Sequence, residues 1–99
     1  MAEGKIIKEY TTKDFDVPAF SITTGTIGQY VLHMDINVSL TGYTPQSVSI
    51  INVSHFGTYI PVITLTEITK VRVILYRASS INADFPAGDI QFRVVYQKS

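Results

Sequence analysis

The side chains of this sequence best suited to proton transfer or metal binding are two histidines and eight carboxylates. His33 and Asp35 stand two positions apart, a spacing that on a strand puts both on one face, as a metal pair or a His–carboxylate dyad requires. His55 is a third candidate ligand that strand pairing would have to deliver. Three ligands with no fixed spacing do not specify a metal site, so they read as surface polar residues, and no metal or cofactor is expected. Asp84 and Asp89 form the one nearby acidic pair outside the N-terminal segment, and nothing else supports a two-carboxylate glycosidase. G-x-S-x-G and glycine-rich phosphate loops are both absent. The chain does not read as an enzyme.

Aromatic side chains are more informative. Tyr43 in TGYTP, Phe56 and Tyr59 around Gly57, and Phe85 in NADFPAGD all fall at expected strand ends or loops. Each ring either plugs an end of the fold or meets a ligand or a second subunit. Stacking on a sugar's C–H face, with amide and carboxylate groups on its hydroxyls, makes Tyr43, Phe56, Tyr59, Asn82, Asp84 and Phe85 the candidate ligand-binding set. Arg72, Arg77 and Arg93 interrupt apolar strands and are expected at the surface.

These residues need a scaffold of one domain at most, since the chain has 99 residues and no cysteine. Its charges balance, 8 basic against 8 acidic, and only 16% of residues are charged while 45% are hydrophobic. A neutral surface has no basic excess for nucleic acid or anionic membrane, and no apolar run reaches the roughly 18 residues of a spanning helix. Neither partner is expected. The N-terminus, MAEGKIIKEY, lacks the apolar core and cleavage site of a signal peptide. Residues 1–4 carry no pattern and are expected to be a disordered tail or expression remnant, leaving 5–99 as a single domain.

Apolar residues recur at every second position, which is the period of strands. In 30–40, Tyr30, Leu32, Met34, Ile36, Val38 and Leu40 share one face, and the run stops at Gly42 and Pro45. In 47–54 the parity breaks, predicting a bulge at Ile50–Ile51 or a strand apolar on both faces. Pro61 places 59–66 near a sheet edge, and the short link through Glu67, Ile68 and Thr69 makes a hairpin with 70–77. Stretches 5–10 and 15–23 read as two further strands, 24–28 as a loop and 78–89 as irregular. In the last strand Ile90, Phe92, Val94 and Tyr96 face one way. The expected fold is therefore an all-β, antiparallel, jelly-roll-like sandwich of about seven to eight strands. Its expected core is Leu32, Met34, Ile36, Val38, Val48, Ile50, Val73, Leu75, Phe92 and Val94. INVS recurs at 36–39 and 51–54 as two similar strand ends, and its match to the glycosylation sequon reads as chance. Apolar residues on both faces of 59–65 and 71–76 point to self-association.

The segments VSLTGYTP (38–45), SVSIINVS (47–54), VRVILYRASS (71–80) and IQFRVVYQK (90–98) resemble the C-terminal β-domains of bacteriophage and prophage tail-fibre and receptor-binding proteins. The likeness covers most of 20–98. It implies a compact all-β head, often trimeric, that ends a fibre and touches the host surface, frequently its saccharides. Without a shaft or coiled-coil segment, the chain reads as an excised domain or a small stand-alone virion protein, made in the bacterial cytoplasm and built into the virion. The alternatives are a non-viral carbohydrate-binding module and a decoration protein that binds only other virion subunits.

Overall fold

The computed structural model describes residues 8–23, 25–67 and 69–99. The expectations for 1–4, for the front of the 5–10 strand, for Thr24 and for Ile68 lie outside the described residues. The order is β1 (Tyr10–Asp16), β2 (Phe20–Ile22), β3 (Tyr30–Asn37), β4 (Tyr43–Val53), β5 (Tyr59–Glu67), β6 (Lys70–Arg77), β7 (Ala83–Phe85) and β8 (Ile90–Lys98). Every pairing is antiparallel, in a β1-β8-β4 sheet, a β3-β6-β5 sheet and a β2-β7 ribbon. The all-β, sandwich-like fold is as the periodicity predicts.

The two larger sheets bury one face each in a common apolar cluster. From β8 come Ile90, Phe92, Val94 and Tyr96, and from β6 come Val71, Val73 and Leu75, all fully buried. These are the central strands of their sheets, and so are covered on both flanks. Of the expected core, Leu32, Met34, Ile36 and Val48 are only half-buried against the cluster, and Ile50 is half-buried, because β3 and β4 are edge strands. Val38 is fully buried as expected, and Val17, Phe20, Ile22, Tyr59 and Phe85 take the remaining buried apolar places.

Bulges decide which face several side chains occupy. The register slips between Ile50 and Asn52, as the parity break predicts, so Ile51 turns out to solvent and Val53 returns opposite Ile90. A slip between Tyr30 and Leu32 was not legible. It pairs Tyr30 with Tyr76 on the outer face, 51% exposed, whereas alternation puts Tyr30 beside Leu32 inside. Pro45 does not end a turn but lies buried within β4, opposite Tyr96, at a further register shift. An edge strand tolerates the missing N–H there. The turn before it closes through Tyr43 N–H to the Leu40 carbonyl at 3.0 Å, with Gly42 at φ +83°.

The expected strand over 15–23 is divided: Phe15 and Asp16 finish β1, and β2 starts at Phe20 after Pro18. The expected irregular stretch 78–89 contains β7, which pairs with β2 through Phe20 opposite Phe85. Pro61 sits on β5, an edge strand, and β5 and β6 form the expected hairpin.

Candidate functional site

Registers assign the loops to two ends. The Tyr96 hydroxyl donates to the Val38 carbonyl at 2.5 Å, so the Lys98 end of β8 lies with the Lys70 end of β6. Ile90 and Arg77 therefore mark the other, apical end. Tyr43, opposite Lys98, is basal. Phe56, Tyr59, Asn82, Asp84 and Phe85 are apical, so five of the six candidates gather at one end and Tyr43 is separated from them.

Only some of the five face solvent. Tyr59 is fully buried and Phe85 nearly so. With Phe20 they form a cluster with ring centroids 5.0 to 5.2 Å apart, Phe20 stacked on Phe85 and both meeting Tyr59 edge-on. Neither ring is free to stack on a ligand, because both are buried in this cluster. Phe56 is 60% exposed at the β4–β5 turn. Asp84 is exposed and accepts from Ser21 Oγ at 2.6 Å. Asn82 Oδ1 accepts from Arg77 at 3.2 Å.

Arg77 departs from its expected exposure. It continues the inward row of Val71, Val73 and Leu75, and its side chain is buried, donating to the Thr23 carbonyl and to Asn82. Its Nε has no hydrogen-bond partner among the described residues. Arg72 and Arg93 do lie on outer faces, each gripping an aspartate through two nitrogens: Arg72 on Asp35 at 2.9 and 3.2 Å, Arg93 on Asp14 at 2.7 and 3.1 Å. Those guanidinium hydrogen bonds hold both carboxyls below the ordinary aspartate range. His33 and Asp35 share a wet face, but His33 is hydrogen-bonded to the Tyr30 hydroxyl and Asp35 to Arg72. Among the described residues no three His, Cys, Asp or Glu side chains gather as a metal site would need.

His55, a metal candidate by residue type, and Asp89, a glycosidase candidate, are joined directly. The Asp89 side chain is 3% exposed and accepts from the Tyr59 hydroxyl on Oδ2, while His55 Nδ1 lies 2.7 Å from Oδ1. Burial, then the Asp89 hydrogen bond, raises the Tyr59 hydroxyl pKa, so it stays protonated and donates. Ser54 N–H to the Asp89 carbonyl at 2.9 Å ties the β4–β5 turn to the β7–β8 turn. Nothing local announces a contact between residues 34 positions apart.

Large exposed apolar side chains also concentrate at this end: Ile27, Tyr30, Phe56, Ile60 and Ile81. Ile27 belongs there because Gly28 N–H bonds the Arg77 carbonyl at 2.7 Å. The basal end carries an open depression lined by Thr44, Gln46, Gln97, Lys98 and Ser99, with no ring in its wall. Among the described residues no helix is long and apolar enough to cross a membrane. Comparison with protein-family models, curated proteins and solved structures returned no match.

Proposed function

We propose that the chain is a non-enzymatic bacteriophage virion module of the tail-fibre or receptor-binding kind, whose apical end contacts host-surface saccharide. The observation that carries the reading is the apical concentration of exposed apolar side chains beside polar Ser21, Asn82 and Asp84. A contiguous exposed apolar patch marks an interaction site on a soluble protein, and here Tyr30 and Ile60 flank Tyr76 in one row across β3-β6-β5. Its support in sequence is the resemblance carried by 38–54 and 71–98. The neutral chain has no grip on polyanions, so nucleic acid and membrane are not its partners.

The same reading makes it a homo-oligomer, a trimer by the resemblance, assembled with other virion proteins. A decoration role, binding only virion subunits, is favoured if the outer face of β3-β6-β5, where Ile60 and Val62 stand exposed, meets another virion protein and not a second copy of this chain. Glycan-array and cell-wall pull-down measurements separate the two. The receptor reading requires retention on host wall or glycan, reduced by Phe56→Ala and unchanged by Tyr43→Ala at the basal end. Retention by virion components alone overturns it in favour of decoration.

A further inference from the structure

The buried Asp89 carboxylate dictates the state of an exposed imidazole. A carboxylate only accepts hydrogen bonds. The Tyr59 hydroxyl occupies Oδ2, so the 2.7 Å contact at Oδ1 requires a hydrogen on His55 Nδ1. A neutral imidazole has one N–H, which leaves Nε2 with a free lone pair. The His55 side chain is 54% exposed while its carboxylate partner is 3% exposed, and the ring rests on Phe85 at 5.3 Å. An acceptor of defined tautomer is therefore held at the surface from within the core.

Its neighbours complete a pattern. Thr58 N–H to the His55 carbonyl at 3.0 Å closes a turn with Phe56 and Gly57 at its centre, which leaves the Phe56 ring in solvent. Ser54 Oγ accepts from Asn52 Nδ2 at 3.2 Å and so keeps its own hydrogen to donate. An apolar ring, an acceptor and a donor thus stand within three consecutive residues. A pyranose offers the complement, a C–H face and edge hydroxyls that both donate and accept. In the neutral form of the ring nothing offsets the Asp89 carboxylate behind it, which favours an uncharged sugar over an anionic one.

We propose that the β4–β5 turn is a saccharide subsite in which Phe56 stacks on a neutral pyranose, His55 Nε2 accepts a hydroxyl hydrogen, and Asp89 is the positioning residue. This rests on the saccharide reading above and narrows it to one turn.

Two measurements on the full chain test it. Long-range proton–nitrogen spectra of the imidazole read the tautomer: Nδ1–H is expected, and Asp89→Asn, whose amide can donate to Nδ1, moves the hydrogen to Nε2. An Nε2–H tautomer in the unsubstituted chain overturns the proposal. Titration with the methyl glycosides of glucose, galactose, mannose and N-acetylglucosamine reads the site. At least one binds, at roughly millimolar affinity. His55→Ala and Phe56→Ala each weaken it by about tenfold or more, as loss of one contact of roughly 1.4 kcal/mol does. His55→Gln, which retains an acceptor and needs no change at Asp89, recovers part of the loss. Protonating His55, followed in the same spectra with Asp89 and Tyr59 the titratable groups against it, converts the acceptor to a donor and lowers affinity. Binding that strengthens on protonation, or that ignores both alanine variants, overturns this inference and leaves the broader saccharide reading standing. Failure of all four glycosides to bind the unsubstituted chain overturns this inference, and loss of retention on glycan array and host wall as well overturns both.

Discussion

Tyr96 in the β1-β8-β4 sheet donates its hydroxyl to the carbonyl of Val38, just past β3 of the opposing sheet, and both residues are fully buried. The bond is a polar tie through the apolar interior at the basal end. Burial alone raises the Tyr96 hydroxyl pKa, which keeps it a donor. Tyr96→Phe removes the donor and leaves a buried carbonyl without it. The expected loss is about 1 to 3 kcal/mol in urea unfolding with an unchanged denaturant slope. No loss would mean that water reaches the Val38 carbonyl.

Gly42 tests the turn that precedes β4. Its φ of +83° is the left-handed region, and a Cβ added there would meet nothing within 4 Å. Gly42→Ala therefore costs backbone strain alone, about 1 kcal/mol of stability, and Gly42→Asn costs less because Asn tolerates that region. Equal losses from the two variants would show that the left-handed φ is not what the glycine supplies.

The paired aspartates set an acid limit on stability. Asp14 and Asp35 have folded-state pKa values below their unfolded value, the hydrogen bonds from Arg93 and Arg72 being the first cause. The unfolded chain then binds protons first as pH falls, so this stability is complete above about pH 4 and is lost as the pH drops through the folded values. Thermal midpoints from pH 6 down should decline more steeply below about pH 4 in the parent chain than in a double Arg72→Gln, Arg93→Gln variant. Parallel curves would deny the pairs a role. Both pairs are solvent-exposed, so added salt should weaken the effect.

Self-association is expected to use the outer face of β3-β6-β5, where Ile60 and Val62 line up with Tyr76 and Ile74 across the ladder. Light scattering at tens of micromolar should return about three times the monomer mass. A double Ile60→Lys, Val62→Lys variant should return the monomer mass while keeping its strand circular dichroism. A monomeric parent chain would refute the trimer outright.

The fold class was legible because a period of two is a local property: side chains alternate across any strand, and β8 and β6 obey it without interruption. The Ile50–Ile51 bulge was legible for the same reason, since it breaks the parity of the apolar residues on its own strand. The slip at Tyr30 was not, because a tyrosine satisfies either face and only pairing with Tyr76 selects the outer one. Pro45 and Arg77 were misplaced by rules about residue types that edge position and a carbonyl acceptor override. Aromatic residue type nominated Phe56, Tyr59 and Phe85 alike, and burial then separated one exposed ring from two that pack the apical end. The His55–Asp89 pair belongs to tertiary structure entirely. It joins a turn after β4 to the residue before β8, and a hydrogen bond between residues far apart in the chain has no periodicity from which it could be read.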